Sequence, residues 1–539
     1  MEKRLLAAVT LSIVVMLAYP FILAKINPPK VNMEAAKDIG SEEPVMPTTA
    51  SNARKPAAQE TKSYQPPQAI SKTSLAALLT ASKVNDKYTL NFVNIGGSIN
   101  KVIVKNNKRQ DVSLVDSLSP ESGILAIEGK DALRGASSQL FTIKEDTKTL
   151  SLETNGLKLE KNIKFLKDKY GLNADIKITN TSSEEQVISY DVITASNISK
   201  KEMFEDRFIE VDIYYKDGSS KRITGGNLLN YNRLYKDNIE WVALKNKYYS
   251  IAAKPLFNAK GVFTKSISKL PIAGFIIEDD RILPGETKAY DINFYIGPID
   301  IRELEKVDES FGKVLNFGFL TSISLVLLSI LQFFYSVFHN YGVSIIILTL
   351  CISLFLYPLT FKSLKSMQKL QELQPHIEKL RIEHKDNPSK LNKEIMELYR
   401  RYKVNPMGGC LPMLLQMPVF IALYNTLSRS IALKDAAFLW IKDLSMPDSL
   451  FHLGFSLPIL GNAINLLPIL MIGAMILQQK TSQLGITSVQ TDQQRMMAGL
   501  MPILFGFIFY SLPSGLVLYW LTNTLLTSLM QVVLFKKTT

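Results

Sequence analysis

A bundle of membrane-crossing α-helices carrying an all-β domain outside the bilayer is the fold class this sequence predicts, and three features predict it. Two uncharged apolar runs, Gly342–Phe361 and Leu411–Ser428, flank a loop dense in Lys and Arg. Residues 80–300 instead alternate or cluster β-formers between turn signals. The chain also starts with Met1-Glu2-Lys3-Arg4 and then runs uncharged from Leu5 to Ala24. About 20 apolar residues in a helix cross the hydrocarbon core. A short basic loop between two such helices stays on the cytoplasmic side.

Composition agrees. The 539 residues exceed one ordinary domain, and 47% are hydrophobic. The net charge of +13 comes with no basic run interleaved with aromatics, so DNA is not an expected partner; basic cytoplasmic loops account for the excess. The two cysteines, Cys351 and Cys410, lie in or beside apolar runs and read as small buried hydrophobes. The large polar region has none, so it has no disulfide framework.

Residues 1–26 read as an uncleaved signal-anchor span. The apolar run is longer than a secretory signal core, and Tyr19-Pro20-Phe21 stands where small cleavage-site residues belong. Lys3 and Arg4 hold its start inside. Residues 27–72, rich in Pro, Ala, Ser, Thr and Lys, bury too little to offset ordering entropy and read as a flexible linker. The β domain is expected over 73–310. Tyr88–Phe92, Lys101–Val104, Ala174–Ile178 and Val211–Tyr215 are strand-like, and Gly96-Gly97, Asn180-Thr181, Asp217-Gly218 and Pro284-Gly285 are turns, the pattern of a sandwich.

Five uncharged apolar stretches follow: Val314–Phe338, Gly342–Phe361, Leu411–Ser428, Leu453–Gln479 and Met496–Phe535. The last is too long for one crossing and breaks at Ser511-Leu512-Pro513-Ser514-Gly515 into two helices. A crossing at 314–338 would put the 362–405 loop outside, although that loop has eleven Lys/Arg against six Asp/Glu. Ser322, Ser329, Gln332, Ser336 and His339 also share one helical face. Residues 311–341 are therefore expected to lie in the outer interface as an amphipathic helix. Six spans result: 1–26, then 342–361, and four within 410–539. Both termini are inside, in agreement with Lys536 and Lys537.

The cytoplasmic segment 362–409 has two apolar stripes, Leu364-Met367-Leu370-Leu373-Ile377-Leu380 and Leu391-Ile395-Leu398-Tyr402, separated by Asp386-Asn387-Pro388-Ser389. This predicts an antiparallel helical hairpin, either a plain connector or a basic docking surface for a ribosome or targeting factor. Enzyme signatures are absent from the sequence. His339, His376, His384 and His452 do not cluster as metal ligands, and Gly123–Lys130 lacks the spacing of a phosphate loop.

The apolar runs are polar without being charged. Thr349 and Ser353, then Gln416, Asn425 and Thr426, then Asn462 and Asn465, then Thr522, Asn523, Thr524, Thr527, Ser528 and Gln531 lie within them. Such groups need partners or water. They either glue helices together or line a wet groove open to the cytoplasm. Frequent methionines, among them Met407, Met413, Met417, Met471 and Met475, suit either adaptable contacts or ordinary packing.

Several motifs resemble the YidC membrane protein insertases: Tyr357-Pro358-Leu359-Thr360, Leu373-Gln374-Pro375, Asn405-Pro406-Met407-Gly408-Gly409-Cys410-Leu411-Pro412, Gln416-Met417-Pro418-Val419-Phe420, Ala422-Leu423-Tyr424 and the run Pro513–Trp520. Order and spacing agree from about 310 to the end. The anchor and outer domain resemble the Gram-negative form, whose periplasmic domain is a β-supersandwich. The resemblance implies a non-enzymatic insertase and chaperone of the bacterial inner membrane, without cofactor or metal, with residues 27–341 on the periplasmic side. Its implied partners are nascent membrane proteins, the ribosome, the Sec translocon, a targeting factor receptor and the lipid bilayer. Thr349, Ser353, Gln416, Tyr519 and Trp520 would line the substrate groove, and Gly408 and Gly409 would couple the hairpin to the third span. A groove that stops partway shortens the barrier a polar tail must cross, and burial of the substrate's own apolar helix drives the step.

This chain departs from the family at one position. The family typically carries an arginine four residues before the tyrosine of Tyr357-Pro358-Leu359; here that residue is Ser353, and Gly342–Phe361 contains no Lys or Arg. The groove is therefore expected to act by hydration and hydrogen bonding, with less dependence on negative charge in the substrate. Arg429, after the third span, is expected to snorkel to the interface. The alternative is a polytopic transporter with a periplasmic domain, but the sequence shows neither inverted repeats nor carboxylates within the spans. An anchored carbohydrate-acting enzyme is a further alternative.

Overall fold

Strand alternation builds the β domain. In Leu157–Phe165, the side chains of Leu157, Leu159, Lys161 and Ile163 are buried while Lys158, Glu160 and Asn162 are partly exposed, the period of two that a half-buried strand requires. The computed structural model describes residues 80–536 except 106–110, 117–121, 145–148, 197, 199–207, 231, 237, 268–269, 317–319, 386, 406–410, 458–460 and 483–491. The expected anchor (1–26) and linker (27–72) lie outside the described residues.

Among these residues the domain has antiparallel sheets of nine, five and four strands. The nine-stranded sheet runs from Ser220–Thr224 through Glu210–Tyr215, Ile239–Lys245, Tyr249–Pro255, Thr287–Pro298, Gly171–Asn180, Leu157–Phe165 and Thr149–Thr154 to Thr142–Lys144. The five-stranded sheet centres on Gln186–Ser196 and Leu270–Ile282. Leu159, Ile176, Val211 and Phe294 of the first share one core with Tyr190, Val192 and Phe275 of the second and with Tyr88, Leu90 and Val102 of the third. The three sheets thus share one core, and the expected all-β domain is present. The Gly96-Gly97 turn has left-handed φ of 68° and 52°, and a Cβ on Gly96 would lie 2.4 Å from the Ser137 carbonyl oxygen. Glycine is required there for both reasons.

A short helix, α1 (Ile301–Val307), closes the domain. Asp300 accepts from the Arg302 backbone N–H at 2.9 Å as its N-cap. Trp241, Tyr295, Leu304, Phe311 and Val314 then form a second core that also takes in Leu328 of α2 (Thr321–Phe338). His339, with φ of 53°, ends α2, and α3 (Tyr341–Glu372) follows. α3 includes the expected second span and continues past Pro358 into the first arm of the hairpin. After a break at Leu373, α4 (Gln374–Glu383) and α5 (Pro388–Arg401) complete that hairpin. Leu373, Ile377 and Val404 form its small core, with Leu370, Ile395 and Leu398 packed against them. The expected turn holds: Asn387 Oδ1 accepts from the Lys390 N–H at 3.0 Å, and Pro388 starts the helix.

The remaining helices are α6 (Leu411–Arg429), α7 (Leu466–Ser482), α8 (Asp492–Phe509) and α9 (Ser514–Lys536). The expected break at 511–515 overlaps the gap of residues 510–513 between α8 and α9. The run 453–479 differs from expectation: Ser449–Leu457 and Gly461–Asn465 pair as a β-hairpin, and the helix starts only at Leu466. The chemistry accounts for this start. Asp448 Oδ2 accepts from the Leu467 N–H at 2.7 Å and from Trp440 Nε1 at 3.1 Å, capping α7 from outside its own sequence. By length and composition α2, α3 up to Leu370 and α9 can cross a membrane, while α7 and α8 are shorter apolar helices.

Two other expectations are corrected. Cys351 is exposed on α3. Arg429 does not snorkel free: its guanidinium lies 3.6 Å from Glu210 and over the Phe208 ring at 5.5 Å. Glu210 also pairs with Lys245 at 3.1 Å, and Lys245 reaches Asp212 at 2.5 Å and the Val314 carbonyl at 2.8 Å. Lys247 donates to the Ser445 carbonyl at 3.2 Å, and Tyr248 shares a 2.7 Å bond with the Ser445 hydroxyl. The C-terminal end of α6 and the loop beyond it are therefore docked on the β domain.

Candidate functional site

α9 is the hub of the helical part, packing on α3, α6 and α7. Its polar residues Tyr519, Asn523, Thr527 and Gln531 recur at intervals of four, which aligns them along one face. Three of them bond side chains of three different helices. The Gln416 amide of α6 donates to the Tyr519 hydroxyl. Ser353 Oγ of α3 donates to Asn523 Oδ1 at 3.2 Å. Thr481 Oγ1 of α7 donates to Gln531 Oε1 at 3.2 Å. Thr527 returns its hydroxyl proton to the Asn523 carbonyl of its own helix at 2.8 Å.

Burial varies along this stripe. Tyr519 and Thr349 are fully buried, whereas Ser353, Gln416, Trp520 and Asn523 are half-buried. Thr349 donates to the Ile345 carbonyl within α3 at 2.7 Å, so its hydroxyl needs nothing from a ligand. Trp520 stacks on Phe505 of α8 at 5.9 Å and meets Phe420 of α6 edge-on at 5.4 Å. That aromatic group closes the side of the stripe that α8 faces. Ser528 Oγ is buried without a partner, a further polar atom on α9 that water would satisfy. Hydrogen-bonded neutral groups of this kind hold helices together and can orient water or a polar backbone; they offer no nucleophile–base pair. Among the described residues no three His, Cys, Asp or Glu side chains gather as metal ligands.

A family model described as 60Kd inner membrane protein matches residues 333–539, and one described as YidC periplasmic domain matches residues 85–330. The membrane protein insertase YidC of Pelobacter propionicus is 32% identical over 98% of this chain and 98% of its own length. The chain belongs to the YidC family of membrane protein insertases. The YidC of Syntrophobacter fumaroxidans is 35% identical over 72% of this chain and 71% of its own. A solved structure, described as an active YidC insertase with the first transmembrane domain resolved, covers 84% of this chain and 93% of that one at 19% identity. Its TM-score of 0.37 is too low to transfer geometry. A galactose mutarotase related enzyme from Lactobacillus acidophilus covers 40% of this chain at 12% identity and a TM-score of 0.33, so it lends no support to a sugar-acting reading.

Like its family, this chain is an inner-membrane protein with a periplasmic β domain and apolar helices. Of the residues singled out from sequence, α9 joins Gln416 to Tyr519 and brings Ser353 to the same helix; Trp520 sits beside them, and Thr349 is buried nearby in sequence on α3. Gly408 and Gly409 lie outside the described residues. The sequence offers Asn523 only as one of the polar residues that glue helices or line a groove, and the structure makes it the acceptor for Ser353. Its signal was available: it lies four residues from Tyr519 and four from Thr527 in an otherwise apolar run.

Proposed function

We propose that this chain inserts nascent membrane proteins through a hydrated, uncharged groove bounded by α3, α6 and α9 and open to the cytoplasm and the lipid. One observation carries the reading. The α9 polar stripe meets Ser353 and Gln416 where those side chains, Asn523 and Trp520 are only half covered by protein. Half-covered amides and hydroxyls facing hydrocarbon would be costly, and water relieves that cost. A polar substrate tail then trades water for neutral donors and acceptors, and its apolar segment partitions into lipid.

The reading extends to six spans with both termini inside, a β-supersandwich on the periplasmic side and α2 lying in the outer interface. Arg302 of α1 donates to Gln332 of α2 at 2.8 Å, and Leu328 packs into the Trp241 core, so α2 runs along the base of the β domain. Val326, Phe333 and Val337 face away from it, 59%, 62% and 55% exposed, ready for the acyl boundary. The α4–α5 hairpin exposes Lys390, Lys393, Arg400, Arg401 and Lys403, a basic surface suited to ribosomal RNA or a targeting factor receptor. Chaperone action and cooperation with the Sec translocon complete the proposal.

The test uses Ser353→Cys in the full chain with Cys351 and Cys410 replaced by serine. A membrane-impermeant maleimide applied from the cytoplasmic side should label position 353, and the same reagent from the periplasmic side should not. Absence of labelling from the cytoplasm would remove the groove.

A further inference from the structure

The β-hairpin between α6 and α7 has no place in insertion as described so far. Its strands, Ser449–Leu457 and Gly461–Asn465, pair only with each other among the described residues. A two-stranded hairpin is marginal in water without a surface to rest on. Phe451 and Phe455 are 62% and 63% exposed, and Phe451 stands directly opposite Ile464.

The depth of the hairpin is fixed by its base. Asn465 Nδ2 donates to the Tyr510 carbonyl at 2.6 Å, the Asn465 N–H donates to the Tyr510 hydroxyl at 3.2 Å, and that hydroxyl donates to the Ala463 carbonyl at 2.7 Å. Tyr510 directly follows the last residue of α8, and Asn465 directly precedes the first residue of α7. Strand Gly461–Asn465 is thus tied level with the ends of two apolar helices, where hydrocarbon gives way to water. Exposed apolar surface continues from the hairpin into α7 at Ile469 and Leu470. An open strand edge cannot enter the hydrocarbon core, because its amides need water. An apolar face with a wet edge suits the headgroup–acyl boundary.

We infer that the paired strands Ser449–Leu457 and Gly461–Asn465 form a membrane-interface anchor that seats Phe451 and Phe455 among the lipids of the outer leaflet. It holds the ends of α7 and α8 at a set depth. The leaflet assignment rests on the topology proposed above; the lipid contact does not, and neither requires insertase activity.

Nitroxide labels at Phe451→Cys, Phe455→Cys and His452→Cys test it. The carrier is the full chain with Cys351 and Cys410 replaced by serine, in vesicles of phosphatidylethanolamine and phosphatidylglycerol. Collision with oxygen, which concentrates in lipid, is compared with collision with a water-soluble nickel complex. Positions 451 and 455 should show an oxygen-to-nickel ratio several-fold above that at exposed Lys216→Cys of the β domain, with 452 falling between. A ratio at 451 and 455 equal to that at 216 would place the hairpin in water and overturn the inference. Exclusion of both reagents would place it against protein and overturn it equally. A Phe455→Trp variant gives an independent reading: acyl-chain bromination should quench its added emission, and unquenched emission refutes the anchor.

Discussion

The β domain and the helical bundle bury polar groups in opposite ways. On the three strands at one edge of the nine-stranded sheet, Glu210, Asp212, Lys245 and Arg222 are charged and mostly buried, and each answers another within about 3.5 Å. Along α9, by contrast, Tyr519, Asn523 and Gln531 meet Gln416, Ser353 and Thr481 with no ion among them. The difference teaches where charge is tolerable. A buried ion needs its counter-ion and the remaining hydrogen bonds in place, and a domain in water can supply the last of these at its margin. A helix in lipid has no bulk water beside it, so neutral donors and acceptors, which a partner side chain or a few waters can satisfy, are the affordable choice.

The sharpest way to break this comparison is Lys245→Met. It leaves Glu210 and Asp212 buried with Arg222 and Arg429 alone, and removes the bond to the Val314 carbonyl. Breaking a buried pair by deleting one partner costs about 3–5 kcal/mol. Hydrogen exchange of strands Glu210–Tyr215 and Ile239–Lys245 in the full chain should accelerate accordingly, and unchanged protection would mean the network carries little. The network also sets an acid limit. Burial pushes the Asp212 carboxyl up, but Lys245 and Arg222 beside it outweigh burial and hold it below its ordinary value. Its contribution therefore stands above the unfolded carboxylate value of about 3.9 and drains as pH falls through the lower folded value.

Lys161 tests the other half of the contrast, because it is a buried amine with no counter-ion among the described residues. The alternation of Leu157–Phe165 forces it inward, where it donates to the carbonyls of Gly96, Gly97 and Leu125 at 2.8, 3.0 and 2.7 Å and lies over the Phe141 ring at 4.4 Å. Burial pushes its pKa down to about 7. The unfolded chain then binds more protons than the folded one between that value and the unfolded lysine value, so stability should rise with pH across this window and be flat below it. Lys161→Met should flatten the rise of the thermal unfolding midpoint between pH 7 and 9. An undiminished slope in the variant would assign it to another group.

These positions also mark what the sequence disclosed. The two-residue period placed the strands, and Asn387-Pro388 and Ser511–Gly515 placed the helix breaks, because those signals are local. Charge asymmetry separated the hairpin from the spans. The hairpin at 449–465 was hidden inside an apolar run, since hydropathy does not distinguish a strand from a helix start and the cap on α7 comes from Asp448. The docking of Arg429 was hidden for the same reason: its partner Glu210 lies more than two hundred residues away. At the candidate site, residue types were legible but pairings were not. Nothing in the order of the chain says that Ser353 meets Asn523 while Thr349 turns back on its own helix.

The smallest expected effect belongs to that pairing. A double-mutant cycle with Ser353→Ala, Asn523→Leu and the two together, read by sodium dodecyl sulfate unfolding of the full chain in mixed micelles, isolates their coupling. Interhelical hydrogen bonds in membrane proteins average about 0.6 kcal/mol and reach about 1.7. If water occupies the half-covered space around Ser353, it replaces a lost partner, and the coupling should sit at or below that average. A coupling near the upper figure would mean that nothing replaces the partner. The α9 stripe would then be dry glue of the kind that holds any helical bundle, and the hydrated groove would fall with it.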